Sequence, residues 1–307
     1  MSIRIVTLGE GTNYPLQGIL TLPNDRENPV PAVVFVHGSG SSNMDERVGK
    51  LTPFRDLAEG FAQQGIASLR YNKRSFTHPL KLAKKKGMTV WHETIEDAIL
   101  AAELLRSIPD IDPQRIFIAG HSMGAMLAPR IDAEGGNFRG MILMAGSPRN
   151  MDEILMEQLT EMMAQSGKLT RMIVQKQANQ FRDAFEKMYD MSDEEAKAKK
   201  MGGGTSLYYF KDMAQHPVSS YLENSTKPVL VMQGGKDFQV KAEVDYILYQ
   251  QLLQNHPDAT FHLYKNLNHC FVPSIYGRIT KAKQEYSMEQ HIGDKVIGDM
   301  ATWIHNH

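Results

Sequence analysis

The stretch Arg115-Ile116-Phe117-Ile118-Ala119-Gly120-His121-Ser122-Met123-Gly124-Ala125-Met126-Leu127-Ala128 decides the reading of this chain. Its first five residues form a nearly continuous apolar run, the pattern of a strand covered on both faces. From Ala125 onward the sequence reads as a helix. Between the two lies Gly120-x-Ser122-x-Gly124. About 0.1 such matches are expected by chance in a chain of this length, so the flanks carry the weight. A sharp strand-to-helix turn strains the backbone at its central residue and crowds that residue's neighbours, which demands glycine on both sides. Such a turn also sets Ser122 at a helix N-terminus, where the field favours developing negative charge.

Working outward, the buried-strand pattern recurs at Ala32–Val36, Ile66–Leu69, Met141–Ala145 and Val229–Met232. Helical spacing of apolar residues lies between these runs. It appears at Leu51, Phe54, Leu57, Ala58 and Phe61, then from Trp91 to Leu105, Val240 to Leu253 and Ile292 to Ile304. Alternating strands and helices predict an α/β fold with a mostly parallel central sheet flanked by helices. Ile3–Leu8 and Gly18–Leu22, separated by Gly9, Gly11, Asn13 and Pro15, predict an antiparallel hairpin at the sheet edge. Residues 151–213 break the alternation. Val174, Ala178, Phe181, Phe185 and Met188 share one helix face, and Gly202-Gly203-Gly204 interrupts the sequence beyond it. This predicts a helical cap inserted into a core of residues 1–150 and 214–307. Nine of the 19 methionines fall in the insertion, either as an adaptable surface facing a pocket or as ordinary helix packing.

The 307 residues carry 34 Lys and Arg against 35 Asp and Glu, for a net charge of −1. That balance lacks the basic excess of a nucleic-acid binder. The longest apolar runs are about five residues, too short to span a membrane. Met1-Ser2-Ile3-Arg4 leads straight into strand-like sequence with no signal-peptide core, so a cytoplasmic location is expected. A single cysteine, Cys270, excludes an internal disulfide and a multi-cysteine zinc site.

A serine hydroxyl needs a base to become a nucleophile, and the base needs an orienting acid. Asp237 lies just past the strand Val229–Met232, in Gln233-Gly234-Gly235-Lys236-Asp237. His269 comes after the short strand Phe261–Tyr264. Both positions are at the carboxyl ends of strands, where open α/β sheets bind ligands. Asp245 falls inside a predicted helix and His262 inside a strand, and both fit less well. His121, within the turn, is expected to pack against neighbouring strands. His37-Gly38-Ser39-Gly40, after the strand Ala32–Val36, offers backbone N–H groups to an oxyanion. The sequence favours Ser39 and leaves Gly38 and Gly40 open. The Met123 N–H, next to Ser122, is the second expected donor. His37 and Gly38 are expected to support this loop.

Taken together, these motifs resemble the α/β-hydrolase superfamily over nearly the whole chain. "PAVVFVHGSGSSNMDE", "PFRDLAEGFAQQGIASLRYNKRS", "IFIAGHSMGAMLAPRI", "PVLVMQGGKDFQV" and "YKNLNHCF" are similar to bacterial esterases related to dienelactone hydrolases and prolyl-oligopeptidase catalytic domains. The resemblance implies a Ser–His–Asp carboxylesterase for short acyl esters. Its catalytic residues map to Ser122, Asp237 and His269, in an elbow shaped by Gly120, His121 and Gly124. It implies no metal or organic cofactor and a small-molecule ester as partner; the apolar face of the insertion leaves monomer and homodimer both open. Two departures stand out. Dienelactone hydrolases use cysteine where this chain has Ser122, and 307 residues leave no room for a propeller domain. The rival readings are an acyltransferase or thioesterase on the same residues, a peptidase, and a non-catalytic binding scaffold.

Two clusters remain. Arg74, in Asn72-Lys73-Arg74, is expected to pair with Asp45 or Glu46 and brace the Ser39 loop, the alternative being to hold a substrate carboxylate. Lys84-Lys85-Lys86 reads as a solvated loop. Cys270 reads as a small packing residue.

Overall fold

In the computed structural model, which describes residues 1–24, 29–201 and 205–307, eight strands form one sheet. They are β1 (Ser2–Leu8), β2 (Leu16–Leu22), β3 (Val30–Val36), β4 (Ala67–Tyr71), β5 (Ile111–His121), β6 (Met141–Met144), β7 (Val229–Gly234) and β8 (Ala259–Tyr264). The spatial order is β1-β2-β4-β3-β5-β6-β7-β8. β1 and β2 form the antiparallel hairpin, β2 pairs antiparallel with β4, and every later pair is parallel. The sheet is therefore α/β and mostly parallel.

Side chains along the inner strands alternate between two cores. Ala32, Val34 and Val36 of β3 face one side with Ile116 and Ile118 of β5. Val33 and Phe35 face the other side with Phe117 and Ala119. Helices Glu96–Arg106 and Met123–Ile131 cover the first face. Helices Pro53–Gln63 and Asp294–Asn306 cover the second. Burial on both faces explains why these strands read as apolar runs without alternation. β1, at the edge, leaves Ile3 and Ile5 exposed.

Between β6 and β7 the described chain is helical: Met151–Gln165, Lys168–Met188, Asp193–Ala198, Leu207–Gln215 and Val218–Leu222. Asn150 and Glu153 cap the first of these reciprocally, and Ser192 and Glu195 cap the third. Ala184, Phe185, Met188 and Leu207 form a small separate core, with Phe181 and Phe210 packed on it. Met151, Ile154, Tyr209 and Met213 join the main core instead, so the segment is tied into the sheet at both ends. The expected boundary at residue 213 falls inside Leu207–Gln215. Gly202, Gly203 and Gly204 lie outside the described residues. Between β4 and the helix Glu96–Arg106 lie two short helices, Arg74–Thr77 and Pro79–Ala83, then a π-helical turn, Trp91–Ile95, where the helical spacing of the sequence begins.

Candidate active site

The chain leaves β5 at His121 and enters the helix Met123–Ile131 with one residue between them. That residue, Ser122, has φ +54° and ψ −119°. A side-chain-bearing residue seldom adopts a positive φ, and such strain concentrates at functional sites. The flanking glycines are required by space. A Cβ on Gly120 would lie 2.2 Å from the Gly124 carbonyl oxygen, and one on Gly124 would lie 2.1 Å from the Val36 carbonyl oxygen. Ser122 is also anchored through its own N–H, which donates to the Met144 carbonyl of β6 at 2.8 Å.

Asp237 and His269 come from the loops after β7 and β8, which pair in parallel register up to Gly234 and Tyr264. His269 Nδ1 is 2.7 Å from Asp237 Oδ2. The same oxygen accepts from Gln233 Nε2 at 2.9 Å, while Oδ1 accepts the Gln239 and Val240 N–H groups at 2.8 and 3.0 Å. A carboxylate held by four donors cannot turn, so it fixes the imidazole with Nδ1–H toward itself. Nε2 then carries the free lone pair. The turn bearing His269 is shaped by Asn268, wholly buried, whose Oδ1 accepts the Cys270 N–H and whose Nδ2 donates to Glu285. Cys270 itself is buried, and burial pushes its thiol well up, away from a reactive thiolate. Asp245 serves elsewhere, accepting from Ser147 and Arg149.

His121 joins the two halves of the site. Its ring is 4.7 Å from that of His269, and its Nε2 lies 2.8 Å from the His269 carbonyl oxygen. Its Nδ1 is 3.0 Å from Glu46 Oε2. A carboxylate at that distance favours the protonated ring over the neutral one. The Glu46 carboxylate accordingly raises the His121 pKa against the opposing effect of burial, and His121 draws that of Glu46 down. His121 is thus one half of a buried charge pair, where the sequence predicted packing alone.

The other oxygen of Glu46 reaches the Ser39 loop. Oε1 accepts the Gly38 N–H at 2.7 Å, which removes Gly38 from the three donor candidates. Gly38 lies directly against the serine, since a Cβ there would be 3.2 Å from Ser122 Cβ. Among the described residues the N–H groups of Ser39, Gly40 and Met123 have no protein acceptor, so Ser39 and Gly40 both stay open as the loop donor. His37 Nε2 donates to the Asn43 carbonyl at 3.0 Å, and burial lowers its pKa to about 4.

Arg74 does not brace this loop. It pairs with Asp97 through two nitrogens and with Glu96 Oε2 at 2.6 Å, and its guanidinium lies 4.6 Å over the Tyr14 ring. It ties the short helix Arg74–Thr77 to the start of Glu96–Arg106 and is itself buried. Asp45 is taken instead by Arg70 Nε at 2.9 Å and Arg55 Nη2 at 2.6 Å. The cation behind the loop is its neighbour, Lys73. Its ammonium donates to the carbonyls of Gly38 at 2.8 Å and Gly40 at 3.0 Å. Sequence reasoning reached the right tripeptide and the wrong member. No local signal separates them, since all five residues of β4 are buried and Lys73 and Arg74 are both buried beyond it.

A cavity of about 310 Å³ opens beside Gly40 and Ser41. Pro79, Leu82 and Met88 supply apolar lining, Lys85 and Lys200 supply cations, and Glu93 is the one carboxylate among the described lining residues. Among the described residues no cluster of three or more His, Cys, Asp or Glu is placed to hold a metal ion, and no helix is long and apolar enough to cross a membrane.

The sheet order, the strained serine turn and the two carboxyl-end loops define an α/β-hydrolase. Residues 27–273 match the family described as serine aminopeptidase, S33, and the chain belongs to that family. It is 32% identical over 289 residues to Esterase EstD of Thermotoga maritima, covering 94% of this chain and 65% of that protein. The chain thus spans a little under two thirds of that relative's length. Among solved structures, the proline iminopeptidase of Mycobacterium smegmatis superposes with a TM-score of 0.61 at 14% identity, over 99% of this chain and 98% of the other. Est1E from Butyrivibrio proteoclasticus gives 0.57 at 12%, over 99% of both. At those identities the likeness is one of fold.

Proposed function

We propose that this chain is a serine carboxylesterase hydrolysing short-chain acyl or acetyl esters, with a small-molecule ester as its partner. The observation that carries the reading is the Asp237–His269 pair, held at 2.7 Å and set against the turn that presents Ser122. The likeness to Esterase EstD supports the same class of reaction.

In this reading His269 Nε2 takes the Ser122 hydroxyl proton as Oγ attacks the ester carbonyl. The carbonyl oxygen becomes an oxyanion and accepts the Ser39 and Met123 N–H groups. His269, now an imidazolium paired with Asp237, returns the proton to the leaving alcohol. Water then attacks the acyl-enzyme carbonyl as it gives a proton to His269; the acyl–Oγ bond breaks, His269 returns that proton to Ser122 Oγ, and the acid leaves. The cavity of about 310 Å³ beside the Ser39 loop has the size for a short acyl or aromatic group.

A peptidase reading is favoured by the family's description. An aminopeptidase must pair a substrate ammonium with a carboxylate. Glu93, the cavity's carboxylate, already accepts from Tyr209 at 2.6 Å and faces Lys73 at 3.5 Å. That engagement favours the ester.

The test is intact-protein mass spectrometry after a fluorophosphonate, with turnover of p-nitrophenyl acetate and of an aminoacyl p-nitroanilide measured alongside. The expected result is one adduct on Ser122 and ester turnover that Ser122→Ala lowers by about 10⁴–10⁶-fold. Faster anilide than ester turnover would favour the peptidase. A folded protein with no adduct and no turnover would favour a binding scaffold.

A further inference from the structure

The Ser39 loop is rich in glycine and has little conformational preference of its own. Its direction is set from outside. A peptide unit is planar and trans, so its carbonyl and its N–H point opposite ways. The Gly38 carbonyl and the Ser39 N–H belong to one such unit. Lys73 Nζ holds that carbonyl at 2.8 Å and the Gly40 carbonyl at 3.0 Å. The side chain of Lys73 is 2% exposed, so the carbonyl points into the protein and the N–H of the same unit points away from Lys73, while Gly38 itself abuts Ser122.

Lys73 is itself fixed. Its backbone N–H donates to the Ser42 carbonyl at 3.0 Å. Its ammonium faces Glu93 Oε1 at 3.5 Å, and the other oxygen of Glu93 accepts from the Tyr209 hydroxyl at 2.6 Å. Tyr209 belongs to the helix Leu207–Gln215, and its oxygen is also 3.5 Å from Met123 Sδ. A chain of buried polar groups therefore runs from the helices between β6 and β7 to the peptide unit beside Ser122. Breaking such a chain at one member leaves the others buried without partners.

We propose that Lys73 is a positioning residue: by holding the Gly38 carbonyl it aims the Ser39 N–H at the oxyanion, with Glu93 and Tyr209 holding Lys73 in turn. The inference rests on the esterase reading given above. A side chain that aims a transition-state donor acts on kcat and leaves ground-state binding alone.

The experiment compares the parent protein with Lys73→Met and with Lys73→Met/Glu93→Gln, which removes the stranded carboxylate charge. Thermal melts report folding. Turnover of p-nitrophenyl acetate gives kcat and KM, and an alkyl boronic acid, which forms a tetrahedral adduct on serine, reports the donor directly. In folded variants kcat is expected to fall about 10–100-fold with KM within about threefold of the parent, and boronate affinity to fall by the same factor as kcat. A melting temperature lowered with kcat and boronate affinity unchanged would overturn the proposal and leave Lys73 a structural residue only. Should neither Lys73 variant fold, Tyr209→Phe decides. A fall in kcat of about threefold or more at constant KM supports the chain of contacts, and an unchanged kcat sinks it. The parent arm separates the two readings: a parent that neither turns over ester nor binds boronate defeats the esterase assignment, whereas a parent active beside equally active variants defeats this inference alone.

Discussion

The two sides of Ser122 are built by different means. On the β7–β8 side, Asp237 is held by two backbone N–H groups and one amide side chain, all within seven residues of the strand end. On the β3–β4 side, the Ser39 loop is held by full charges reaching in from other segments: Glu46 with His121, and Lys73 with Glu93. The contrast originates in the loops themselves. A carboxylate in a tight turn recruits the nearest N–H groups and needs little more. A Gly-Ser-Gly loop has a single short hydroxyl and no carboxylate with which to fix itself, and its peptide planes are held by buried charges. Local bonds form with the turn. Charged braces form only when distant segments dock, and each is costly to break on one side.

The comparison can be broken or sharpened by substitution. The largest effect is expected at the locally held side. Asp237→Asn keeps the shape of the turn but lets His269 adopt the wrong tautomer, and ester turnover should fall by about 10⁴-fold with little change in melting temperature. Loss of stability instead of turnover would show that Asp237 is a scaffold residue.

Glu46→Gln probes the charged side. It leaves His121 without its partner and weakens the hold on the Gly38 N–H. Turnover is expected to fall about 10–100-fold, together with a stability loss of about 3 kcal/mol. Urea melts and kcat measured on the same preparation would separate the two effects. The Glu46–His121 pair also has a pH signature. A raised His121 contributes stability that is present below its unfolded value and lost as pH rises through its folded one. A lowered Glu46 contributes stability that is present above its unfolded value and lost as pH falls through its folded one.

Arg74→Met should uncouple stability from turnover. It strands Asp97 in the core and should cost about 3–5 kcal/mol, while kcat below the melting temperature stays near that of the parent. A selective loss of activity on anionic esters would return Arg74 to a substrate-binding role.

The smallest effect is expected at His37, which is neutral at pH 7. Because its folded pKa of about 4 lies below the unfolded value, the unfolded chain binds the proton first, and stability falls as pH drops from 6.5 toward 4. His37→Gln should flatten that slope between pH 6.5 and 5, as read by thermal melts. An unchanged slope would place the acid sensitivity elsewhere.

What the sequence determined by itself was local or periodic. Burial on both faces wrote β3, β5, β6 and β7 as apolar runs, and glycine spacing marked the turn at Ser122. Asp237 and His269 were legible because each stands a few residues past a strand end. Tertiary structure alone decided the partners of the charges. Nothing local tells Arg74 to choose Asp97, 23 residues on, over Asp45, or Glu46 to meet His121, because such pairs depend on how β4, the turn after β5 and the loop after β3 stack in space. The same holds for Lys73, whose place behind Gly38 exists only once β3 and β4 lie side by side in parallel register. Short-range geometry is encoded residue by residue, while long-range electrostatic pairing is settled only by packing.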